Sequence, residues 1–382
     1  MTPKILIASF TDISHDPRAL KQVRAAVEIG AVTTCSFGPS PHPDVEHLEL
    51  DPNITYPSGR IRDFLHEGLR NAEYFPWIYH QIPWVRQARK LLRGRKFDAA
   101  IANNGDAARL VSHHVRDDAL HVDLHEFFPG LVFDDGSVEA HRQQAYFNWL
   151  HDNAVAGTLS TSVVAAGIAR EYRSLGIDPD VVTNAGLSQD LPVRPTGSPI
   201  RYVHSGNSQS GRGLRRTMRA VAAAEREVTL DLYLVPNDQL VHDEIVRLAE
   251  ELGDRISIQP PVPQSELVIT LNQYDVGIFT APASIPNTAM ALPNKFFDFV
   301  QARLGVMVSP LPEMSHLIEE HGLGRITDGF EAKDIARAID EFSAEAVDAA
   351  KRASDAVATE LSGDTHHEYW KSTLRQLLSK QK

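Results

Sequence analysis

Short runs dense in aliphatic residues recur along this chain. They alternate with segments whose apolar positions repeat at helical spacing. Residues 4–10 (KILIASF) form the first run. Its mostly apolar character predicts a parallel strand covered on both faces. A helix is predicted from Asp16-Pro17, with Asp16 as N-cap and Pro17 at the first helical position. Leu20, Val23, Ala26 and Val27 give its apolar face, Gly30 ends it, and residues 31–37 return as a strand. This is a βαβ unit. The same reading predicts strands at 98–102 and 121–124, a helix at 138–150 and a short strand at 157–160.

A second α/β block begins near Ile200. Strands are predicted at 201–205, 230–235, 256–259, 276–280 and 305–309, with helices at 214–225 and 295–303. Residues 186–199 (GLSQDLPVRPTGSP) have the Pro, Gly and Ser content of an interdomain linker. The terminal stretch HHEYWKSTLRQLLSKQK reads as an amphipathic helix, with Tyr369, Leu374, Leu377 and Leu378 on or near one face. The pattern thus predicts two consecutive doubly wound α/β domains with a cleft between them. Ligands in such sheets bind beyond the carboxyl ends of the strands, so the loops there hold the candidate chemistry.

Composition agrees with two domains. The chain has 382 residues, beyond the ~250–300 at which a single core stops growing. One cysteine, Cys35, argues against a disulfide scaffold or a Cys-rich zinc module. Lys and Arg total 38 against 50 Asp and Glu, a net charge of −12, so nucleic acid is not an expected partner. No apolar run reaches the ~20 residues of a membrane span. MTPKILIASF reads as a first strand rather than a signal peptide, and a cytoplasmic protein is expected.

Two loops stand out. Residues 206–214 (GNSQSGRGL) leave a strand and enter a helix. Backbone N–H groups at such a helix start bind anions, and Arg212 adds a donor fork suited to phosphate. The loop is neither a Walker A sequence nor a GxGxxG fingerprint. The other is 291–310 (ALPNKFFDFVQARLGVMVSP), where Asn294 could cap a helix and Lys295 would sit in its first turn. A cation is out of place there by the helix dipole, unless an anion binds at the same end. Asp298, three residues on, faces the same way as Lys295. It could accept hydrogen bonds from a ribose diol while Lys295 meets a diphosphate. No His, Asp or Glu set has convincing metal-ligand spacing, and neither a metal nor another cofactor is expected.

These residues resemble the retaining GT-B glycosyltransferases of the large family-four group, particularly capsule and exopolysaccharide members. Pro293-Asn294-Lys295-Phe296-Phe297-Asp298-Phe299 followed by Gly305-Val306-Met307-Val308 is similar to the family's donor-binding helix and next strand. Gly206 and Arg212-Gly213 match its Gly and Lys-Gly spacing, with Arg for Lys and with Asn207 in place of the usual Arg. DPRALKQVRAAVEIGAVTT, VDLHEFFPG and SLGIDPDVVTNAG resemble successive segments of its first domain. Two departures stand beside these matches. Met290 occupies the place of the first acid in the family's two-Glu motif, and TDISHDPR replaces its Gly-rich first loop.

The resemblance implies a GT-B architecture. Domain one would span 1–187, with the C-terminal helix 365–382 crossing back to it, and domain two 188–364. It implies transfer of a sugar, with retention and without metal, from a nucleotide-diphosphate sugar (UDP or GDP foremost) to a hydroxyl acceptor. Arg212, Lys295 and His125 are the implied catalytic residues. Gly206, Asn207, Gly213, Pro261, Val262, Asn294 and Asp298 would bind the donor. Asp16, Arg18 and Glu126 would line the acceptor side. The rival from another class is a non-catalytic nucleotide-sugar or glycan-binding protein, which Met290 motivates. A sugar-nucleotide epimerase would need cleft acids that the sequence does not offer.

Residues 74–97 resist a bland account. Arg86, Arg89, Lys90, Arg93, Arg95 and Lys96 occur with no acid among them, after Tyr74, Phe75, Trp77, Tyr79 and Trp84. Basic segments with aromatic flanks sit on anionic membranes, so Arg86 to Lys96 is a candidate for peripheral membrane contact. The alternative is a helix packed on the first sheet with solvated charges. His113-His114 and His366-His367 are expected at the surface, and Asp134-Asp135 in a solvated loop.

Overall fold

The computed structural model describes residues 2–55, 72–132, 135–209 and 211–379. The chain divides into two compact units, one of Met1–Thr183 with Thr365–Lys382, the other of Asn184–Asp364. Among the described residues each unit holds one sheet.

In the first unit the strands are β1 (Lys4–Asp12), β2 (Ala31–Phe37), β3 (Val45–Leu50), β4 (Ala99–Asn103), β5 (Leu120–Leu124), β6 (Thr161–Val163) and β7 (Asp180–Val181). They lie in the order β3-β2-β1-β4-β5-β6-β7, every pair parallel. The central strands read as unbroken apolar runs because both faces are covered: all five residues of β4 and of β5 are buried. The order reverses at the β1–β4 pair, which makes their carboxyl ends the switch point of the sheet.

The second unit repeats the plan with β8 (Ile200–Asn207), β9 (Val228–Val235), β10 (Ile256–Gln259), β11 (Val276–Phe279), β12 (Gly305–Val308) and β13 (Gly324–Ile326). Their order is β10-β9-β8-β11-β12-β13, again parallel throughout. The switch point falls between β8 and β11.

The predicted helix after β1 is present as Pro17–Val27. The Asp16 carboxylate caps it, accepting from the backbone N–H of Arg18 at 2.9 Å and of Ala19 at 3.2 Å. The C-terminal helix His366–Ser379 packs into the first unit's core, where Trp370 and Leu374 join Ile5, Ile7 and Val23. Its buried face is led by Trp370, with Thr373, Leu374 and Leu377, rather than by Tyr369 and Leu378. Lys371 and His367 tie it to Glu28 at 2.7 and 2.8 Å.

Several expectations change. The strand predicted at 157–160 lies at Thr161–Val163. The stretch 186–199 is strapped to the second unit rather than free. Thr196 donates from N and Oγ1 to Asp348, Arg194 binds Asn272, and Ser188 binds Asp364. His366 is buried, not a surface residue. Asp135 is exposed, while Asp134 lies outside the described residues.

Candidate functional site

At the β8–β11 switch point, segments ninety residues apart in sequence come together. His204, in β8, is buried, and its Nδ1 lies 2.9 Å from the Ile278 carbonyl. A carbonyl only accepts, so Nδ1 carries the proton and Nε2 presents a lone pair. The Lys295 ammonium lies 3.4 Å from that Nε2 and 4.7 Å from the centre of the Phe279 ring. His204 also stacks on Phe279, with ring centres 6.2 Å apart.

Two glycines make this packing feasible. Gly206 holds φ +145°, and a Cβ there would come within 2.6 Å of the Lys295 Nζ. Gly213 holds φ +77°, and a Cβ there would come within 2.6 Å of the Thr280 carbonyl oxygen. A side chain at either position would be strained by the backbone and blocked by its neighbour. Thr217 Oγ1 and Thr280 Oγ1, 2.6 Å apart, join the helix Leu214–Ala223 to the same edge.

Lys295 stands in the first turn of the helix Asn294–Gln301, where a cation opposes the helix dipole. The helix begins at Asn294 and Pro293 precedes it, so Asn294 is its first residue rather than its cap. Burial, reinforced by the Arg212 charge, pushes the lysine pKa down to about 7, with Asp298 pulling weakly the other way. Burial first, then Lys295 and Arg212, hold His204 well below the usual imidazole range. Lys295 has no carboxylate ion-pair partner among the described residues. Lys295 is half-buried beside a neutral histidine, and the exposed Arg212 is near enough for its charge to act on both, an arrangement that an anion would stabilise.

Of the other predicted donor residues, Asn207 ends β8 and is exposed. Asp298 is buried one helical turn beyond Lys295. Pro261 and Val262 follow β10 at the same edge of the sheet. They lie two strands from β8, roughly 10 Å across the sheet. Met290 follows the short helix Pro286–Ala289.

The first unit gathers a second group at the carboxyl ends of β4 and β5. His125 Nε2 is 3.1 Å from Asn103 Oδ1 and 3.3 Å from Asp123 Oδ2, and its backbone N–H donates to Asn104 Oδ1 at 2.9 Å. Asn104 adopts φ +70°, a backbone state uncommon outside glycine. Asp123 is fully buried and takes two 2.6 Å hydrogen bonds from Arg18, one from Gln22 at 2.7 Å and one from Ser162 at 2.6 Å. Burial disfavours its charged form, but Arg18 and His125 overcome that and hold it well below the usual carboxylate range.

Arg18 also donates to the Val182 and Thr183 carbonyls. Arg18 and the Asp16 carboxylate are thereby engaged inside the unit, as ion-pair partner and helix cap. Glu126 is exposed beside His125. Sequence reasoning missed His204, Asn103, Asn104 and Asp106. The last lies in the first turn of the helix Asn104–Val111, and burial pushes its carboxyl pKa up to about 6. A polar NNGD sequence at a strand end was the available signal for the last three.

The basic run 86–96 takes a different form from the one expected. Tyr79 is buried, Phe75 packs on Tyr146 and Trp149, and Trp84 packs on Phe37. Arg95 pairs with Glu46 at 2.7 Å. Most of the aromatic residues that suggested an interfacial segment are therefore spent on packing. Among the described residues, no helix is long and apolar enough to cross a membrane, and no cluster of three or more His, Cys, Asp or Glu could hold a metal ion.

No family model matches this sequence, and no curated protein is significantly similar to it. Solved structures do match. A sucrose-phosphate synthase from Thermosynechococcus elongatus aligns with TM-score 0.69 at 13% identity, covering 99% of this chain and 100% of that one. A UDP-forming α,α-trehalose-phosphate synthase from Burkholderia xenovorans aligns with TM-score 0.64 at 12% identity, covering 99% of each. WaaG, a glycosyltransferase involved in lipopolysaccharide biosynthesis, aligns with TM-score 0.62 at 11% identity, covering 97% and 99%. The chain has the two-domain, Rossmann-like α/β fold of these GT-B glycosyltransferases.

Proposed function

We propose that this chain is a glycosyltransferase that moves a sugar from a nucleotide-diphosphate sugar to a hydroxyl acceptor. The observation that carries the reading is Lys295, half-buried against Gly206 and His204 at the sheet's switch point, with the Arg212 charge acting on it and no carboxylate within ion-pair distance among the described residues. A diphosphate is an anion that suits such a cationic site. The fold shared with sugar-nucleotide transferases supports the same reading.

In the proposed reaction the bond from the anomeric carbon to the diphosphate oxygen breaks. The acceptor oxygen forms the new bond on the same face, and its proton passes to the departing phosphate. Negative charge grows on the diphosphate as the bond breaks. Arg212, Lys295 and the N–H groups at the start of the helix Leu214–Ala223 stabilise it, without a metal. Asp298 holds the ribose and the 261–262 backbone flanks the base, UDP or GDP being the first choices. His125 and Glu126 serve the acceptor side, and Asp16 and Arg18 act as their supports. A polysaccharide or lipid-linked acceptor at the inner face of a membrane suits the cations of 86–96.

The second reading, a non-catalytic binding protein, is favoured by Met290 alone. A thermal-shift screen of UDP, GDP, ADP and dTDP selects the base, and donor hydrolysis without acceptor separates enzyme from binder. Arg212→Ala and Lys295→Ala should each weaken diphosphate binding by about tenfold or more, the scale of one charge-assisted hydrogen bond. Unchanged affinity in both variants would remove the donor-site assignment. Tight binding with no turnover across a panel of donors and acceptors would leave the binding protein.

A further inference from the structure

The proposed reaction gives Lys295 a task and gives none to the histidine beside it. His204 lies in β8, two residues before Gly206, and is only 2% exposed. A buried polar ring between apolar strands is costly unless its nitrogens are satisfied. Nδ1 is satisfied inside the sheet, where it donates to the Ile278 carbonyl of β11 at 2.9 Å. That bond fixes the tautomer, since a carbonyl cannot donate back. Nε2 is left as an acceptor, and the Lys295 ammonium lies 3.4 Å from it.

Three uncharged groups bound that ammonium. One is the Nε2 lone pair. Another is the face of Phe279, whose ring centre is 4.7 Å from Nζ, and the imidazole stacks on the same ring at an angle of 21°. The third is the bare backbone of Gly206, where a Cβ would lie 2.6 Å from Nζ and 3.9 Å from Nε2. Burial first, then the Lys295 and Arg212 charges, keep the ring neutral, so it does not repel the lysine. A carboxylate in place of Nε2 would hold the ammonium but also neutralise it, and an incoming anion would have to displace an ion pair. An ammonium has three N–H donors, so one spent on a neutral acceptor leaves two and the full charge.

We propose that His204 is a positioning residue of the donor site: its Nε2 lone pair takes one N–H of Lys295 and turns the other two toward a diphosphate, without lending the site a negative charge. The role rests on the donor-site reading for its anion, whereas the tautomer and the contact do not.

The first measurement is made on the full chain without ligand. Nitrogen-15 spectra of the histidine rings distinguish a protonated from an unprotonated nitrogen, and the His204 signals are those absent in variants at position 204. The expected spectrum has the proton on Nδ1 and an Nε2 resonance that shifts in Lys295→Met. A proton on Nε2, or an Nε2 resonance indifferent to Lys295→Met, overturns the proposal whatever the chain binds.

The second measurement is affinity for inorganic pyrophosphate. Asn keeps an N–H near the Nδ1 position, whereas Gln sets an acceptor near the Nε2 position. Affinity should fall about tenfold in His204→Asn. It should stay within about threefold of the wild type in His204→Gln. A ring that merely ties β8 to β11 gives the reverse order, which overturns the positioning role. In the Lys295→Ala background His204→Asn should cost less than about a further twofold, because its effect passes through the lysine. Fully additive losses overturn the role as well. Pyrophosphate affinity unchanged in Lys295→Ala removes the donor-site reading, and the positioning role with it, while spectra of the expected form would leave the His204–Lys295 contact standing.

Discussion

Lys295 couples the proposed chemistry to pH. Its pKa of about 7 means that near pH 8 the free protein holds it largely neutral. A bound diphosphate favours the ammonium form, so binding draws a proton from solution. Net uptake at pH 8 should approach ~0.9 proton, and affinity should fall by up to about tenfold per unit as pH rises above 7. Calorimetry in two buffers of different ionisation enthalpy measures it. Lys295→Arg, whose charge does not titrate in this range, should bind without uptake. No uptake in the wild-type chain between pH 7 and 9 would contradict the half-buried, neutral lysine. The same residue affects stability in the absence of ligand. An unfolded chain keeps this lysine protonated to about pH 10.4, so its contribution to stability rises with pH between 7 and that value.

The elements that carry His125 rest on a buried ion pair. Asp123 at the end of β5 and Arg18 in the first turn of Pro17–Val27 join strand to helix, and His125 leans on the same carboxylate. Asp123→Asn would leave the guanidinium buried against an amide, at a cost of about 3–5 kcal/mol. Denaturant melts should show this as a lower midpoint with an unchanged slope, and a loss below 1 kcal/mol would contradict the pairing. The sign with pH follows from a folded pKa far below the unfolded ~3.9. The pair's stabilisation is complete above about pH 4 and is lost as pH falls further.

Legibility in the sequence followed burial at this scale. The apolar runs of β1, β4 and β12 identify themselves, because strands covered on both faces need little else. β3 was missed because VEHLEL is half polar, as an edge strand with a solvated face is, and only Leu48 and Leu50 are buried. The meeting of loop and helix at the β8–β11 switch point was legible through Gly206, Gly213 and Lys295, whose types are chemically distinctive. His204 was not, since a single histidine in an apolar strand looks like any other until its neighbour across the sheet is known. The Arg18–Asp123 pair was not legible for the related reason that an ion pair 105 residues apart in sequence leaves no local trace.

At the scale of the whole molecule, the first unit is not continuous in sequence: its core is completed by the last helix. Trp370 is fully buried, and the Arg18 guanidinium lies 5.4 Å from its ring centre. The carboxyl end of the chain therefore supports the Arg18–Asp123 pair and, through it, His125. The second unit has its own core, formed from residues between Ile200 and Ala350. Trp370→Ala should therefore destabilise one unit selectively, by about 3–5 kcal/mol for an aromatic truncated in a packed core. For a unit of this size that lowers its melting temperature by roughly 10 °C. Calorimetry should show one transition moving and the other fixed. Affinity for the nucleoside diphosphate selected in the screen should change less than about twofold, whereas Lys295→Ala should do the reverse. If both transitions shift together, or if nucleotide binding weakens along with the Trp370 core, the donor site does not belong to an independently stable second unit.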